Sequence, residues 1–256
     1  MSAPNGASEI AAPANPKPLA TPKPDSELYV YKPWARKPSE EFDRRCVLIT
    51  VGTVGVGKTT FLKRFVKRTF DSNERSTIGV DYVDANIYIG EHRVHVCLWD
   101  TAGQESFASV TNSYIRQARI AVLMFDLSRP STLDDLVAVR KKVKELAPDC
   151  ICVLVGNKLD LYERNRVEGA SQQWLANVDM AKHALELECE VGYFAASAVS
   201  AENVDTALVK AVTIFINKHE RQRAELTTAS RDRANLADAD AVGDGNAAST
   251  GGCCDL

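Results

Sequence analysis

The sequence of 256 residues lacks a long apolar run, an excess of basic residues and an apolar leader. No apolar stretch reaches the roughly 18 residues that suggest a membrane-spanning helix, and the N-terminus has no apolar centre of a signal peptide. Met1 is followed by Ser2, whereas myristoylation requires a glycine there. The net charge of -3 argues against a dedicated nucleic-acid binder, which would normally be basic. We therefore expect neither a membrane span nor a nucleic-acid partner.

The seven cysteines do not indicate a disulfide framework, because their number is odd and most lie inside apolar runs. Buried free cysteines behave as small hydrophobic residues, which fits a reducing compartment. No group of cysteines and histidines has the spacing of zinc ligands, so the sequence does not indicate zinc. The adjacent pair Cys253 and Cys254 stands apart from the other five.

Proline and aromatic residues are distributed unevenly. Eight of the ten prolines lie in residues 1–38, and no aromatic residue follows Phe215. These shifts predict a disordered Pro- and Ala-rich extension at 1–42, one folded domain at 43–220 and a flexible tail at 221–256. Tyr29, Tyr31 and Trp34 could dock on the domain or on a partner, or belong to a simple spacer. The sequence leaves these readings open.

The middle of the chain alternates strand-like and helix-like segments. Apolar or alternating runs predict strands at 46–51, 81–89, 93–99, 120–127, 150–155 and 191–196. Helical spacing of apolar residues predicts helices after residue 58, at 131–146 and from 204, and a further one at 180–187 with Asp179 as N-cap. This alternation predicts an α/β fold with a largely parallel sheet. Ligands should bind at the carboxyl ends of its strands.

The segment from Gly52 to Thr59 fits the pattern G-x-x-x-x-G-K-[ST] between a predicted strand and a predicted helix. Its backbone amides can surround a phosphate group, and the helix N-terminus adds a favourable dipole. Lys58 supplies positive charge to the phosphate oxygens, and the hydroxyl of Thr59 can bind Mg²⁺. A chance glycine turn is the alternative, and the strand–loop–helix context disfavours it.

Two further motifs follow later strands. In WDTAGQE at 99–105, Asp100 can hold Mg²⁺, Gly103 can approach a γ-phosphate and Gln104 can orient an attacking water. In NKLD at 157–160, the carboxylate of Asp160 can accept two hydrogen bonds from guanine, a donor pair that adenine does not present. Each motif alone would usually be a turn. Three in order at strand ends together indicate a guanine-nucleotide site.

These motifs resemble those of the small GTPases of the Ras superfamily, most closely the Rab family, over residues 44–220. The run STIGVDY at 76–82 is similar to a segment that separates Rab proteins from Ras, Rho and Arf proteins, and YIRQA at 114–118 imperfectly resembles the Rab pattern YYRGA. The resemblance implies a divergent member with an extended N-terminus. It also implies the P-loop GTPase fold, a six-stranded, mostly parallel sheet flanked by five helices.

The resemblance further implies the roles of individual residues. It assigns catalysis to Lys58, Thr77 and Gln104, and Mg²⁺ binding to Thr59, Thr77 and Asp100. The expected phosphate-binding residues of GTP or GDP are Thr53, Val54, Gly55, Val56, Gly57, Lys58, Thr59, Thr60 and Gly103. The expected guanine-binding residues are Phe70, Asn157, Lys158, Asp160, Ser197 and Ala198.

The C-terminal end resembles the double-cysteine ends of Rab proteins, which implies geranylgeranyl chains on Cys253 and Cys254. Two chains make physical sense because one lipid holds a protein only marginally. Residues 225–256 hold six acidic and two basic side chains, so a basic second membrane signal is missing. The alternative is an unmodified tail with two reactive thiols.

The resemblance implies a monomeric GTP/GDP switch that hydrolyses GTP and regulates vesicle trafficking. It would act on the cytoplasmic face of Golgi, endosome or vesicle membranes, with a cytosolic pool. Effectors, an exchange factor, a GTPase-activating protein, Rab escort protein and GDP-dissociation inhibitor are the expected partners. The alternatives are a hydrolysis-impaired GTP-bound scaffold, or a Ras- or Rho-like signalling GTPase.

The sequence departs from the family pattern at three places, of which the first two bear on activity. Val54 stands where Rab proteins usually have a small residue, so its stiff side chain should crowd Gln104 and slow hydrolysis. The alternative is a loop that shifts to accept the valine. Glu74 replaces a frequent aromatic, and its carboxylate should repel a triphosphate. Residues 163–173 look like a surface insertion.

Overall fold

The structure is a computed structural model. It describes residues 29–32, 44–74, 76–103, 108–129, 131–167 and 189–243, with the backbone alone at 29–32, 108–111 and 231–243. The strands are β1 (Tyr29–Lys32), β2 (Arg44–Val51), β3 (Val80–Ile89), β4 (His92–Thr101), β5 (Ile120–Asp126), β6 (Ile151–Asn157) and β7 (Tyr193–Ala195). The described helices are α1 (Lys58–Lys67), α2 (Ala108–Gln117), α3 (Ser131–Leu146), α4 (Leu159–Val167) and α5 (Val204–Gly243).

The strands form one mixed sheet in the order β1-β3-β4-β2-β5-β6-β7. The pairs β1–β3 and β3–β4 are antiparallel, and the other four pairs are parallel. All six strands expected from the sequence are present, and the predicted α/β class with a mostly parallel sheet is confirmed. β2 lies between β4 and β5, so the strands that follow it in the chain are added first on one side of β2 and then on the other. The phosphate loop follows β2, at this switch point of the sheet.

The seventh strand, β1, comes from the segment that the sequence predicts as disordered. Its backbone pairs antiparallel with β3, from Tyr29 opposite Ile89 to Lys32 opposite Asn86. An edge strand presents unpaired backbone donors and acceptors, and a short β-branched and aromatic segment can satisfy them. For these four residues the structure corrects the prediction of disorder. Trp34 lies outside the described residues.

Helices cover both faces of the sheet, as a mostly parallel sheet requires. On one face, α1 and α5 bury large apolar side chains against the strands, chiefly Phe61, Phe65, Leu208, Val212 and Phe215. On the other face, α2 and α3 contribute Ile115, Leu133, Leu136 and Val143. The five described cysteines are buried and free. The apolar character that the sequence predicts for them is therefore confirmed.

The last helix continues through residues 221–243, where the sequence predicts a flexible tail. The helical state has a local cause, because this stretch is rich in alanine and other helix formers and contains no proline before Gly243. Residues 221–230 are exposed, so this part of α5 packs on nothing in the described chain. No described helix is both long and apolar enough to cross a membrane. The predicted helix at 180–187, with Asp179, lies outside the described residues.

Candidate functional site

A cavity of about 400 Å³ lies at the carboxyl ends of β2, β4 and β6. This size is within the usual range of small-molecule sites. Most residues that the sequence assigns to nucleotide binding line it: Val54, Gly55, Gly57, Lys58, Thr59, Thr60, Phe70, Thr77, Gly103, Asn157, Lys158, Asp160 and Ala198. The three motifs, far apart in the chain, therefore share one cavity.

Four other predicted residues do not line the cavity but contact it through hydrogen bonds: Thr53, Val56, Asp100 and Ser197. The carbonyl oxygens of Thr53 and Val56 accept hydrogen bonds from Lys58 and Asn157, respectively. Asp100 bonds to Thr59, and Ser197 bonds to Asp160. The predicted catalytic residue Gln104 lies outside the described residues, as do Cys253 and Cys254 of the expected lipid anchor.

The phosphate loop leads directly into α1, whose N-terminus opens on the cavity. Gly57 caps this helix with φ of 93°, a left-handed conformation that favours glycine, and no side chain caps the helix. A β-carbon at Gly57 would press against the amide group of Asn157. The helix start has amide donors and a positive dipole, and no acidic residue lies in its first turn. The loop therefore fits an anionic ligand.

Lys58 is the buried cation of this loop. Its side chain is only 6% exposed, and Nζ donates to the carbonyl oxygens of Gly52 at 2.8 Å and Thr53 at 3.1 Å. Burial lowers the pKa of Lys58 to about 8, while the nearby charge of Asp100 opposes this shift. The ammonium form still dominates at neutral pH. Phosphate oxygens would provide the anionic partner that the two neutral carbonyls do not.

Three oxygen ligands for a cation meet beside Lys58. Thr59 Oγ1 donates to Asp100 Oδ2 at 2.5 Å and lies 2.7 Å from Thr77 Oγ1. Thr77 Oγ1 is 3.3 Å from the same carboxylate oxygen. Burial raises the pKa of Asp100, and the Thr59 hydrogen bond and the Lys58 charge oppose it. A carboxylate with two hydroxyls is a hard-oxygen set that suits Mg²⁺, which usually completes its shell with phosphates and water. These residues therefore fit the expected ion.

The opposite end of the cavity carries the predicted base-binding residues. Asn157 connects two loops there, because its Nδ2 donates to Val56 O at 2.9 Å and its Oδ1 accepts from Ala198 N at 3.3 Å. Ser197 Oγ donates to Asp160 Oδ1 at 2.6 Å and orients that carboxylate. A fixed carboxylate beside a backbone amide loop can recognise a base edge that carries two donors.

Asp126 is a site residue that the sequence reading missed. It ends β5, is 1% exposed, and accepts hydrogen bonds from Lys158 Nζ at 2.8 Å and Arg129 Nε at 2.9 Å. Arg129 Nη2 also donates to Val54 O at 3.3 Å. Asp126 thereby connects the base-binding loop to the phosphate loop. The sequence does contain a signal for Asp126. Like Asp100, it is a polar residue at the carboxyl end of an apolar strand.

Arg64 is a second residue that the sequence reading missed. From α1 its Nε donates to Ala198 O at 2.6 Å and its Nη2 to Val199 O at 2.7 Å. Its guanidinium carbon lies 6.0 Å from the ring centre of Phe70, which is 39% exposed at the cavity wall. These contacts hold the 197–199 loop at the base end of the cavity. No motif in the sequence signals this role.

The structure corrects the expected effect of Glu74. Its Oε2 lies 2.6 Å from Lys63 Nζ in an ion pair between the cavity wall and α1. The lysine offsets the negative charge that was expected to repel a triphosphate. Glu74 therefore joins the loop to α1, and its expected repulsion of a triphosphate is reduced.

The fold and this site define a P-loop nucleotide-binding protein. A family model described as Ras family matches residues 47–217. The chain is 30% identical to the Ras-related protein RABA1c of Arabidopsis thaliana over 217 residues, which cover 84% of this chain and 96% of that protein. It is 32% identical to human Ras-related protein Rab-4B over 181 residues, which cover 70% of this chain and 80% of that protein.

Human Ras-related protein Rab-30 is 34% identical over 167 residues, which cover 65% of this chain and 77% of the relative. The chain therefore belongs to the Ras family of small GTPases, and these relatives are Rab proteins. Membership implies that it binds GTP and GDP, usually with Mg²⁺, and that it hydrolyses GTP. The resemblance to Rab proteins seen in the sequence is confirmed.

Proposed function

We propose that the protein is a Rab-like GTP/GDP switch that hydrolyses GTP slowly and regulates vesicle trafficking from the cytoplasmic face of an endomembrane. One observation carries the nucleotide part of this proposal. Lys58, the oxygen cluster of Thr59, Thr77 and Asp100, and the Asp160–Ser197 pair surround a single cavity. This arrangement suits, in order, phosphates, a magnesium ion and a guanine base.

The residues would act mainly by positioning and charge. Lys58 and the amides of the phosphate loop hold the β- and γ-phosphates, and Asp160 with the Ala198 amide selects guanine. Mg²⁺, held by the oxygen cluster, would neutralise charge that develops on the phosphates. Thr77 connects that cluster to residues 71–82, so loss of the γ-phosphate would release this segment. Gln104 would orient the attacking water.

Slow hydrolysis is proposed because of the contact between Val54 and Gly103. The side chain of Val54 is 42% exposed at the cavity wall. A β-carbon on Gly103 would lie 2.5 Å from the backbone nitrogen of Val54, so these two segments are already closely packed. Gln104 follows Gly103 directly. A β-branched side chain at Val54 should therefore restrict the space for Gln104, the attacking water and a partner's arginine.

Membrane attachment would rest on geranylgeranyl chains at Cys253 and Cys254. The tail from residue 225 is acidic, so lipid and protein partners must replace basic attraction to the membrane. The expected partners are effectors, an exchange factor, a GTPase-activating protein, an escort protein and a GDP-dissociation inhibitor. The exposed end of α5 would act as a spacer between the domain and this anchor.

A second candidate function is a GTP-bound scaffold with negligible turnover. Val54 favours the scaffold, whereas the oxygen cluster of Thr59, Thr77 and Asp100 and the buried Lys58 favour a working switch. Single-turnover GTP hydrolysis on purified protein, with and without an activating protein, separates the two. Measurable turnover that an activating protein accelerates supports the switch, and its absence supports the scaffold.

The guanine assignment is tested with Asp160→Asn, which replaces the acceptor carboxylate by an amide of the same size. We expect GDP affinity to fall at least tenfold and xanthosine diphosphate affinity to rise, because xanthine offers an acceptor in place of the exocyclic amine. Exposed Asp149, replaced by Asn, is the matched control. Unchanged GDP affinity in Asp160→Asn would contradict the assignment.

The anchor is tested in native cells with a tagged copy beside a Cys253→Ser/Cys254→Ser copy. The intact copy should stain an endomembrane, and the double variant should become diffuse. Organelle staining that survives both substitutions would overturn the lipid anchor. Staining of the plasma membrane alone would favour the Ras- or Rho-like alternative.

A further inference from the structure

Three potential metal ligands of different chemistry meet on the β3–β4 hairpin, away from the nucleotide cavity. Asp84 and Cys97 are directly opposite each other in the antiparallel ladder, and His95 is two residues before Cys97 on the same face. One oxygen, one nitrogen and one sulfur atom from these side chains lie within 4.8 Å of one another. Opposed and diagonal neighbours on a sheet face are close enough to share an ion.

The distance between two of these atoms matches tetrahedral coordination. His95 Nε2 lies 3.3 Å from Asp84 Oδ1. With metal–nitrogen and metal–oxygen bonds of about 2.0–2.1 Å, the edge of a tetrahedron is about 3.3–3.4 Å. The separation of these two atoms therefore fits a shared ion. The sulfur of Cys97 lies within 4.8 Å of both atoms and is the third potential ligand.

A neighbouring amide orients the histidine. His95 Nδ1 lies 3.1 Å from Asn86 Oδ1, and Asn86 is the residue opposite His95 in the ladder. If Nδ1 carries the proton and donates it to Asn86, the lone pair of Nε2 faces the carboxylate of Asp84. Asp84 Oδ1 is buried without a hydrogen bond of ordinary geometry in the described chain, and the carboxyl group of Asp84 interacts with the Cys97 thiol. In that tautomer two acceptors face each other, and a cation between them would satisfy both. An outer-shell partner on the second nitrogen is typical of metal-binding histidines.

The charges around the cluster are compatible with a divalent ion. Arg45 Nη2 donates to Cys97 Sγ at 3.4 Å and is the positive neighbour. Burial raises the pKa of the Cys97 thiol, and the Arg45 hydrogen bond opposes this shift. Metal binding would displace the thiol proton. The thiolate and Asp84 together then carry two negative charges against the single positive charge of Arg45.

The cluster is also accessible from solvent. The side chains of Asp84 and His95 are 35% and 24% exposed, whereas Cys97 is buried at 3%. A fourth position is therefore open to water. Imidazole with thiolate suits zinc better than magnesium or calcium. The spacing of residues in the sequence does not indicate zinc, because these three potential ligands come from two strands and include an aspartate. Such a pattern has no local signature.

We propose that Asp84, His95 and Cys97 form a three-ligand site for a zinc-class divalent cation, with Asn86 as the residue that positions His95. Bound metal would join β3 to β4 directly. These two strands connect residues 71–82 to the WDTAGQE motif, so the ion would stiffen the segment between the two nucleotide-sensing loops.

The experiment measures binding of Zn²⁺, and of Co²⁺ as a spectroscopic probe, to the full chain. The protein carries Cys253→Ser/Cys254→Ser and is saturated with GDP and Mg²⁺, so that tail thiols and the magnesium site do not compete. We expect one Zn²⁺ per chain and a sulfur-to-cobalt charge-transfer band. Cys97→Ser and Asp84→Asn should abolish stoichiometric binding, and Asn86→Ala should weaken it about 10–100-fold.

His92→Ala, on the same strand but outside the cluster, is the matched control and should bind Zn²⁺ normally. Retained GDP binding shows that each variant is folded. Absence of stoichiometric Zn²⁺ binding in the parent protein would overturn the proposal in favour of an ion pair between protonated His95 and Asp84. Zn²⁺ binding that survives both Cys97→Ser and Asp84→Asn would overturn it equally.

Discussion

Replacing Asp126 by Asn should weaken nucleotide binding although Asp126 does not line the cavity. The buried carboxylate holds Lys158, which lines the base end of the cavity, and Arg129, which bonds to Val54 O in the phosphate loop. The backbone nitrogen and hydroxyl of Ser128 donate to it at 2.9 and 2.6 Å. Asn has nearly the same shape but no charge, and its amide NH₂ cannot accept from a cation.

The magnitude follows from the two charge-assisted contacts. A hydrogen bond to a charged group contributes about 1.5–3 kcal/mol when buried. Here Lys158 is 30% and Arg129 is 51% exposed, so water replaces part of each contact. We therefore expect Asp126→Asn to cost about 2 kcal/mol of folding free energy. Since Lys158 loses its anchor, GDP affinity should fall about tenfold, or about 1.4 kcal/mol.

The same carboxylate predicts a pH dependence of stability. Burial alone would raise the pKa of Asp126, but hydrogen bonds from Lys158 and Ser128 outweigh it and hold the pKa below the ordinary value of 3.8. A depressed folded-state pKa contributes stability above the unfolded-state pKa and loses it as pH falls through the folded value. The stability difference between wild type and Asp126→Asn should therefore shrink below about pH 4.

The assays are urea unfolding for stability and GDP dissociation, followed with a fluorescent analogue, for affinity. Asp149→Asn is the matched control, because that aspartate is 81% exposed and lies 3.8 Å from Lys218. The control should change neither quantity. Wild-type stability and wild-type GDP affinity in Asp126→Asn would refute the role assigned to this carboxylate.

Three further changes test other parts of the site. Val54→Ser should raise the single-turnover GTP hydrolysis rate about tenfold, a barrier change of about 1.4 kcal/mol; equal rates would contradict the crowding argument. Gly103→Ala should cost about 1–3 kcal/mol in urea unfolding, because its β-carbon would lie 2.5 Å from Val54 N. Lys63→Ala removes the partner of Glu74 and should weaken GTP binding about threefold relative to GDP binding, as measured by nucleotide titration. The double variant Lys63→Ala/Glu74→Gln should restore the wild-type ratio of GTP affinity to GDP affinity.

Much of the fold could be predicted because its signals are local. Apolar strands and helical spacing depend on each segment alone, so six strands and the helices starting near 58, 131 and 204 are where the sequence predicts them. The structure differs from the predicted disorder at β1 and at the end of α5, although docking on the domain was one reading left open for Tyr29 and Tyr31. A four-residue strand forms only because β3 offers an open edge, and that edge is not encoded in residues 29–32.

The functional site likewise combines residues that local motifs identify with residues that only tertiary contacts reveal. The phosphate loop, Asp100 and NKLD were identifiable because each motif places its chemistry within a few residues of a strand end. Arg64 could not be found this way, because its partners Ala198 and Val199 are more than 130 residues away in the chain. The Lys63–Glu74 ion pair, which offsets the negative charge of Glu74, likewise depends on how one loop lies on α1.

The sequence by itself determined the α/β class, the guanine-nucleotide motifs and their order, because backbone propensity, periodicity and short motifs are properties of neighbouring residues. Only the tertiary structure decided which charges meet. It pairs Asp126 with Lys158, neutralises Glu74 and brings Asp84 next to His95 and Cys97. Electrostatic interactions and metal coordination act over a few ångströms in space, and separation along the chain does not specify that distance.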